Sequence, residues 1–510
     1  MLQNEALDIL KLGHNVYLTG AAGSGKTHVL NQYIKYLREN NIVVGVTAST
    51  GIAATHMNGM TIHSWAGLGM GDAIDIERIL AKSTLKKRMA QTRVLIIDEV
   101  SMLDGHLLDA VDAITRGFKD RSKPFGGLQV VLSGDLFQLP PVTRSGEPFF
   151  VFNSEAWKSM SLKICYLEEQ HRQEDSTLLN MLNAIRLNQV EETHFEELGE
   201  RIKPVPDGED IIRLYTHNTN VDDINTTELN KLQTEAKTYD MTSRGRKNAI
   251  EALTNRCLAP GQLVLKLGSK VMFVANNPAK QFYNGTLGKV VKFNDDGKPV
   301  IQTKQRLITV DEHIWKTEDG DKTIAEITQL PLRLAWAITI HKSQGMSLDA
   351  AEIDLSKSFE PGMGYVALSR VRSIEGLYIK GINNMAMMVN PQIIELDTRL
   401  KARSKQAQSS LGQIKKKTIE QHHQTVRRAL QPEEDKLLED YDEAIFKKLK
   451  TWRTKLAATQ SVPAYVILPD KTLKLIAAIL PKDALQLSRI SGIGAQKLEK
   501  YAADIIKLTK

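Results

Sequence analysis

Residues 20–27 read GAAGSGKT, directly after the apolar run VYLT and before the amphipathic stretch THVLNQYIKYLREN. Gly20, Ala21, Ala22, Gly23, Ser24 and Gly25 let the chain curl until its amides face phosphate oxygens. A helix starting at the end of that curl adds partial positive charge. In this pattern Lys26 reaches the β- and γ-phosphates of ATP, and Thr27 holds Mg2+. The metal also needs a carboxylate on a neighbouring strand. RVLIIDEVSM supplies Asp98 at the end of an apolar run, and Glu99 follows it, able to orient or deprotonate an attacking water. An Asp-Glu pair alone is equally a charged strand end; beside a phosphate loop it points to hydrolysis.

Positive charge arriving at a phosphoryl-transfer transition state is worth roughly 10³–10⁵ in rate. Arg172 in EEQHRQ and Arg370 in YVALSRVRS are the arginines placed to supply it, if the segments carrying them close on the phosphate loop. Taken singly, each is also an ordinary surface ion-pair partner.

The elements that must position these groups are legible in the same residues. VYLTG, IVVGVTA, RVLIIDE and LQVVLSGD are short, apolar, β-branched runs separated by amphipathic stretches, the layout of a parallel sheet with crossover helices. We therefore expect an α/β domain over 1–170, with a small insertion near 64–80. A second α/β domain is expected over 171–275 and 333–395, with IIRLYTHN, AAEIDL and GLYIKGI as strands. Between its halves, 276–332 alternates in short runs separated by Asn-Gly and Asp-Gly, which predicts a small antiparallel barrel or sheet. Residues 396–440 read as a basic helical linker, and 441–510 as a compact all-α unit.

Composition narrows the class. Hydrophobic residues make up 42% and charged residues 25%, so global disorder is excluded. No apolar stretch nears the roughly 20 residues that span a bilayer, and MLQNEALDIL does not read as a signal peptide. Cys165 and Cys257 are the only cysteines, which excludes a disulfide scaffold and a cysteine-only zinc site. The net charge of +7 is uneven. Between Arg399 and Arg428, nine Lys/Arg face one acid, Glu420, so that segment carries +8 and the remaining 480 residues −1. Such an excess suits a polyanion-facing segment, and suits a solvated helix as well. The expected setting is a reducing cytoplasm or nucleoid, in a prokaryote or virus, with no membrane contact and a monomeric chain.

Taken together, the motifs over residues 1–395 resemble the petite-integration-frequency (PIF) family of DNA helicases, within the RecD-like group that moves 5′ to 3′. They are Gln3, lying 17 residues before Gly20; GAAGSGKT; VTASTGIAA with TIHSWAG; IIDEVSM; PFGGLQVVLSGDLFQLPPV; HRQ; AITIHKSQGMSL; and YVALSRVRS. PFGGLQ, at 124–129, looks like that family's own signature, placed just before GDLFQLPPV, itself expected to be a strand.

The resemblance implies two RecA-like P-loop domains, with 276–332 as an SH3-like insertion. By the same resemblance, Gln3 reads the adenine, Gln138 senses the γ-phosphate, and Arg172 and Arg370 are arginine fingers. Thr47, Ser49, His63, Thr339, His341 and Ser343 match positions that contact single-stranded DNA. It also implies duplex or forked DNA as substrate, with G-quadruplexes and RNA–DNA hybrids within the class. Read without it, Trp65, Phe137 and Phe150 are either base-stacking or buried aromatics, and TASTGIAA is equally a helix cap.

VPAYVILPDKTLKLIA and ILPKDALQLSRISGIGAQKLEKY resemble an HRDC domain. Its SGIG, at 491–494, is either a phosphate-binding turn or a plain interhelical turn. Two rival functions share the motor motifs: a DNA-stimulated ATPase that remodels protein–DNA complexes without unwinding, and a RecD-like recombination or repair subunit. A non-motor nucleotide switch would hydrolyse ATP at the same rate with and without DNA. Lys26→Ala is expected to abolish ATP hydrolysis while DNA binding is largely retained, measured as steady-state turnover and as equilibrium binding to a fluorescent oligonucleotide.

Overall fold

The computed structural model describes residues 1–510 except 58, 69–73, 142–146, 170–175, 207–210, 258, 276, 278, 281, 283–284, 320–321, 415, 432–436, 439, 461, 489 and 510. The chain divides into two compact units, Met1–Lys35 with Val44–Glu420, and Tyr36–Val43 with Gln421–Lys510. No helix among the described residues is long and apolar enough to cross a membrane.

The first unit is built on two parallel sheets. The first contains β1 (Val16–Gly20), β2 (Val44–Ala48), β3 (Met60–Thr61), β4 (Val94–Asp98), β5 (Gln129–Ser133) and β6 (Lys163–Leu167), in the order β3-β2-β4-β5-β1-β6. β1, β4 and β5 are buried along their whole length, which is why they read as unbroken apolar runs. The second contains β7 (Ile212–Tyr215), β8 (Ala337–Thr339), β9 (Ala351–Leu355) and β10 (Leu377–Ile382), ordered β8-β7-β9-β10 and again parallel throughout. Of the expected small insertion near 64–80, residues 69–73 lie outside the described residues. Short helices, Ile62–Ala66 and Ile76–Leu80, stand on either side of that gap.

Antiparallel strands occupy a longer stretch than expected. A five-stranded sheet orders Leu307–Thr309, Pro299–Gln302, Leu287–Phe293, Lys270–Phe273 and Leu332–Leu334. Thr242–Gly245 pairs with Lys322–Gln329, and Lys237–Asp240 with Gln262–Leu265. The antiparallel region thus begins at Lys237 rather than near 276. Its early strands have no Asn-Gly or Asp-Gly turns beside them and enclose the helix Lys247–Arg256, so locally they imitate an α/β pattern.

PFGGLQ proves to be a built turn. Phe125, Gly126 and Gly127 all have positive φ, at 49°, 61° and 83°. Phe125 is fully buried, and its amide donates to Asp112 Oδ1 on the helix Gly105–Phe118. A Cβ on Gly126 would lie 2.6 Å from the Thr115 carbonyl of the same helix. GDLFQLPPV is not a strand. From Gly134 to Pro141 it is the loop leaving β5, because paired prolines cannot donate to a ladder.

The supposed basic linker is likewise more than a spacer. The helix Pro391–Gly412 buries Ile393, Asp397, Leu400, Ser404, Ala407 and Leu411, a residue every three or four positions, the stripe by which a helix packs onto a core. Ser404 Oγ accepts from the Tyr166 amide at 3.0 Å, and Arg403 donates to the Leu162 carbonyl at 2.8 Å, so this helix lies along β6. In the second unit, Glu443–Gln460, Asp470–Ile479 and Ala495–Thr509 enclose Leu449, Leu473, Ile476, Leu487 and Ile505. There the SGIG turn is held by Thr472, whose hydroxyl donates to the Ser491 carbonyl at 3.1 Å.

Gly126→Ala is expected to lower the thermal midpoint by several degrees, because a left-handed alanine costs about 1–2 kcal/mol before the Thr115 clash is counted. Calorimetry with ATP turnover per folded molecule checks this, and the turnover should stay near wild type.

Candidate active site

The ends of the strands converge on a cleft of about 510 Å³ within the first unit. The loop after β1 contributes Ala22, Gly23, Gly25, Lys26 and Thr27, and the ends of β4 and β5 contribute Glu99 and Gln138. The second sheet's loops contribute Gly345, Ser347, Arg370 and Arg372. Five residues singled out for chemistry, Lys26, Thr27, Glu99, Gln138 and Arg370, therefore line one space. Arg172 lies outside the described residues.

Within the phosphate loop, Lys26 Nζ donates to the Gly20 and Ala21 carbonyls at 2.9 and 3.0 Å. Burial pulls its pKa below the ordinary lysine value, and the nearby carboxylates of Asp135, Glu99 and Asp98 oppose that shift. The Ala22 amide donates to the Tyr365 hydroxyl at 3.1 Å. Gln3, on the helix Gln3–Lys11, donates to the Ser24 carbonyl at 3.3 Å, so its side chain is tied to the loop itself. Thr27 is exposed at the cleft, while Ser24 is fully buried.

Asp98, the last residue of β4, is 8% exposed. Glu99 then turns into the left-handed region, with φ 52° and ψ 46°, at a cost of about 1–2 kcal/mol for a residue with a Cβ. After that strained turn Glu99 lines the cleft, while Asp98 is buried at the end of β4. Burial raises both carboxyl pKa values above the ordinary carboxylate range, and the charge of Asp98 raises that of Glu99 further. Arg370, 1% exposed, donates to the Val366 carbonyl at 2.9 Å and to Ser369 Oγ at 2.8 Å, and its charge partly offsets the rise at Glu99.

The DNA-side residues fall into two groups. Thr47 is fully buried, with its hydroxyl donating to the Ile96 carbonyl at 2.7 Å. Ser343 is fully buried and donates to the Ile340 carbonyl at 2.7 Å, and Thr339 caps the helical turn Ile340–Ser343. All three hydroxyls bond within the protein. Ser49, His63 and His341 are only half-buried. Ser49 Oγ donates to the Glu99 carbonyl at 2.7 Å, and burial lowers the His341 pKa. Trp65, Phe137 and Phe150 are 2%, 3% and 4% exposed, so they are core residues.

Comparison with known proteins decides the family. The PIF1-like helicase model matches residues 3–196, and the HRDC domain model matches 442–509. An ATP-dependent DNA helicase Pif1 from Psychrobacter is 42% identical over 498 residues, covering 83% of this chain and 74% of that protein. The chain belongs to the PIF1-like helicase family. The crystal structure of Pif1 helicase from Candida albicans superimposes with a TM-score of 0.70 at 35% identity, covering 78% of this chain and 98% of that one. Pif1 helicase from Bacteroides in complex with ADP-AlF3 and single-stranded DNA does so at 0.62 and 32% identity, covering 78% and 96%. The two parallel sheets are thus RecA-like, the C-terminal helices include an HRDC domain, and the enzyme is an ATP-dependent DNA helicase.

Several residues of this PIF1-like cleft escaped the sequence reading. Gln344 donates to Glu99 Oε2 at 3.3 Å and to Gln138 Oε1 at 3.0 Å, linking the second sheet to both groups. Arg372, also lining the cleft, pairs with Asp349 at 2.8 Å. Asp135, Tyr365 and Arg186 form a buried cluster behind the phosphate loop. All but Arg186 and Asp349 lie inside motifs quoted for the family resemblance; what the sequence lacked was any sign of their partners.

Glu99→Gln is expected to lower ATP turnover at least a hundredfold and to raise the thermal midpoint. The sign follows from the raised pKa. A carboxylate that titrates higher in the folded state opposes folding once ionised, and a neutral amide removes that penalty. For the wild type, turnover should fall on acidification through a midpoint above the ordinary glutamate range, as read from a pH–rate profile.

Proposed function

We propose that this PIF1-like helicase moves 5′ to 3′ on single-stranded DNA, opening duplex or forked DNA ahead of it, with Mg-ATP hydrolysed in the cleft. The observation that carries this is Gln344, delivered by the turn after β8 of the second sheet, which bonds both Glu99 and Gln138 in the loops after β4 and β5 of the first. Any movement of one sheet against the other then changes the surroundings of the water-activating acid. In this reading Glu99 orients or deprotonates the attacking water, Lys26 binds the phosphates, Gln138 senses the terminal phosphate and Arg370 stabilises the transition-state charge, with Arg172 as a second finger. Gln3 recognises the adenine.

The exposed Thr27 hydroxyl, at the start of the helix after β1, and the buried Asp98 carboxylate, at the end of β4, are hard oxygen donors of the kind that Mg2+ takes. When bound, Mg2+ supplies neutralisation of phosphate charge. Ser49, His63 and His341 contact the DNA backbone, supported by Thr47, Thr339 and Ser343. The bond from Ser49 Oγ to the Glu99 main-chain carbonyl supports a link between the DNA side and the turn that carries the catalytic acid. Residues 1–170 act as one motor domain, 171–236 with 335–395 as the other, and the antiparallel region between those two segments as the SH3-like insertion. G-quadruplexes and RNA–DNA hybrids complete the substrate class. The protein works as a monomer in the cytoplasm or nucleoid.

Partial duplexes carrying a 5′ or a 3′ single-stranded tail test the proposal, with ATP and with Lys26→Ala protein as the blank. Opening of the 5′-tailed duplex alone is expected, and DNA should stimulate ATP turnover strongly. Stimulated turnover with neither duplex opened would make the protein a remodelling ATPase. Opening from the 3′ tail would reverse the direction.

A further inference from the structure

Behind the phosphate loop lies a buried polar cluster that the chemistry assigned so far does not use. Arg186, 5% exposed on the helix Ser176–Leu187, donates through Nη1 to both carboxylate oxygens of Asp135 at 2.8 and 2.7 Å. The same nitrogen donates to the Tyr365 hydroxyl at 2.9 Å, and Nη2 donates to the Tyr166 hydroxyl at 2.8 Å. Tyr365, 1% exposed, donates to Asp135 Oδ2 at 2.8 Å and accepts from the Ala22 amide at 3.1 Å. With one donor and two acceptor sites all engaged, that hydroxyl is fully satisfied. Burial pushes its pKa up to about 12, so it keeps the proton it donates.

Each partner sits a few residues from a group with a proposed role. Asp135 precedes Gln138 on the same turn, and its carbonyl accepts from the Gln138 amide at 3.0 Å. Tyr365 lies on the helix Met363–Leu368, which leads into Arg370. Ala22 belongs to the phosphate loop. The helix starts at Gly362, where φ is +90° and an added Cβ would lie 2.8 Å from the Phe137 carbonyl and 3.1 Å from that of Gln138. The Arg186 guanidinium also lies over the Phe137 ring, 4.2 Å from its centroid. A phenylalanine at 365 would fill the same volume; the hydroxyl is what joins three separate segments.

We infer that Tyr365 and Arg186 are positioning residues that hold Arg370, Gln138 and the phosphate loop in one register for ATP hydrolysis. This rests on the roles proposed above for those three groups. In the buried interior a lost hydrogen bond is not replaced by water, so the register loosens where the hydroxyl is removed. Nucleotide affinity is a different matter, because the loop's remaining amides and Lys26 are untouched.

The test compares wild type, Lys26→Ala, Tyr365→Phe, Arg370→Ala and the Tyr365→Phe/Arg370→Ala pair. Read-outs are turnover at saturating single-stranded DNA, KM for ATP, and the number and affinity of sites for a fluorescent ADP. Tyr365→Phe is expected to lower turnover per ADP-binding site about tenfold, with ADP affinity within about threefold of wild type. In the Arg370→Ala background the same change should cost clearly less than tenfold, since the share of its effect that runs through Arg370 is already lost and only Gln138 and the phosphate loop are left to position. Turnover per site within twofold of wild type overturns the inference, as does an undiminished tenfold loss in the Arg370→Ala background. Should Tyr365→Phe not fold, Arg186→Lys takes its place. It keeps a cation beside Asp135 without the fork that also reaches Tyr166, and must show the same loss per site. Lys26→Ala turning over like wild type would instead remove the site assignment itself.

Discussion

Strands running in one direction bring their carboxyl ends to a single edge, and the chemistry of this helicase is arranged along that edge. The phosphate loop leaves β1, Ser49 follows β2, Asp98 and Glu99 end β4, and Asp135 and Gln138 follow β5. Register fixes their depth: Ala48 lies opposite Asp98, and Leu18 opposite Ser133. A slip of one residue in β4 would carry Asp98 to the other face of the sheet. The second sheet obeys the same constraint. The turn Ile340–Ser343 follows β8 and delivers Gln344 to Glu99 and Gln138.

Gathering these groups at one edge withdraws several charges from water. Lys26, Asp98, Glu99, Asp135, Arg186 and Arg370 are close enough for each charge to shift or satisfy another, which offsets part of the desolvation. Arg186 and Asp135 bond each other and both bond the Tyr365 hydroxyl, behind the phosphate loop. The reactive side of the cleft is different. Glu99 is held in a left-handed turn with a raised pKa, a local sacrifice of stability that leaves a basic carboxylate facing the cleft.

Composition and structure diverge most at the helix Pro391–Gly412. Its lysines and arginines made it look like a polyanion-facing spacer, yet its buried stripe from Ile393 to Leu411 lies along β6, and Asp397 reaches towards Arg186 at 3.7 Å. Two of the six stripe positions, Asp397 and Ser404, are polar, so an apolar pattern was hard to see. Both are partnered inside the unit. Charge counting registers the exposed circumference of a helix and is blind to which face is covered.

The phosphate loop, the acids after β4, both parallel sheets and the C-terminal helical unit were legible from sequence alone. Each follows from residue types over a few positions: glycines that permit a curl, apolar runs that cannot face water, and turns set by Gly, Asn and Asp. The DNA-side hydroxyls were legible as motifs, but their partners within the fold were not, because nothing local tells a Thr47 hydroxyl that it will meet the Ile96 carbonyl. The antiparallel boundary failed for the same reason, since strand pairing with distant partners is not written in a strand's own residues. Gln344 meets Glu99 across 245 positions, Arg186 meets Tyr365 across 179, and Tyr365 meets Ala22 across 343. Which long-range pairs form depends on how whole sheets pack, and burial then decides whether a polar group titrates, supports or reacts.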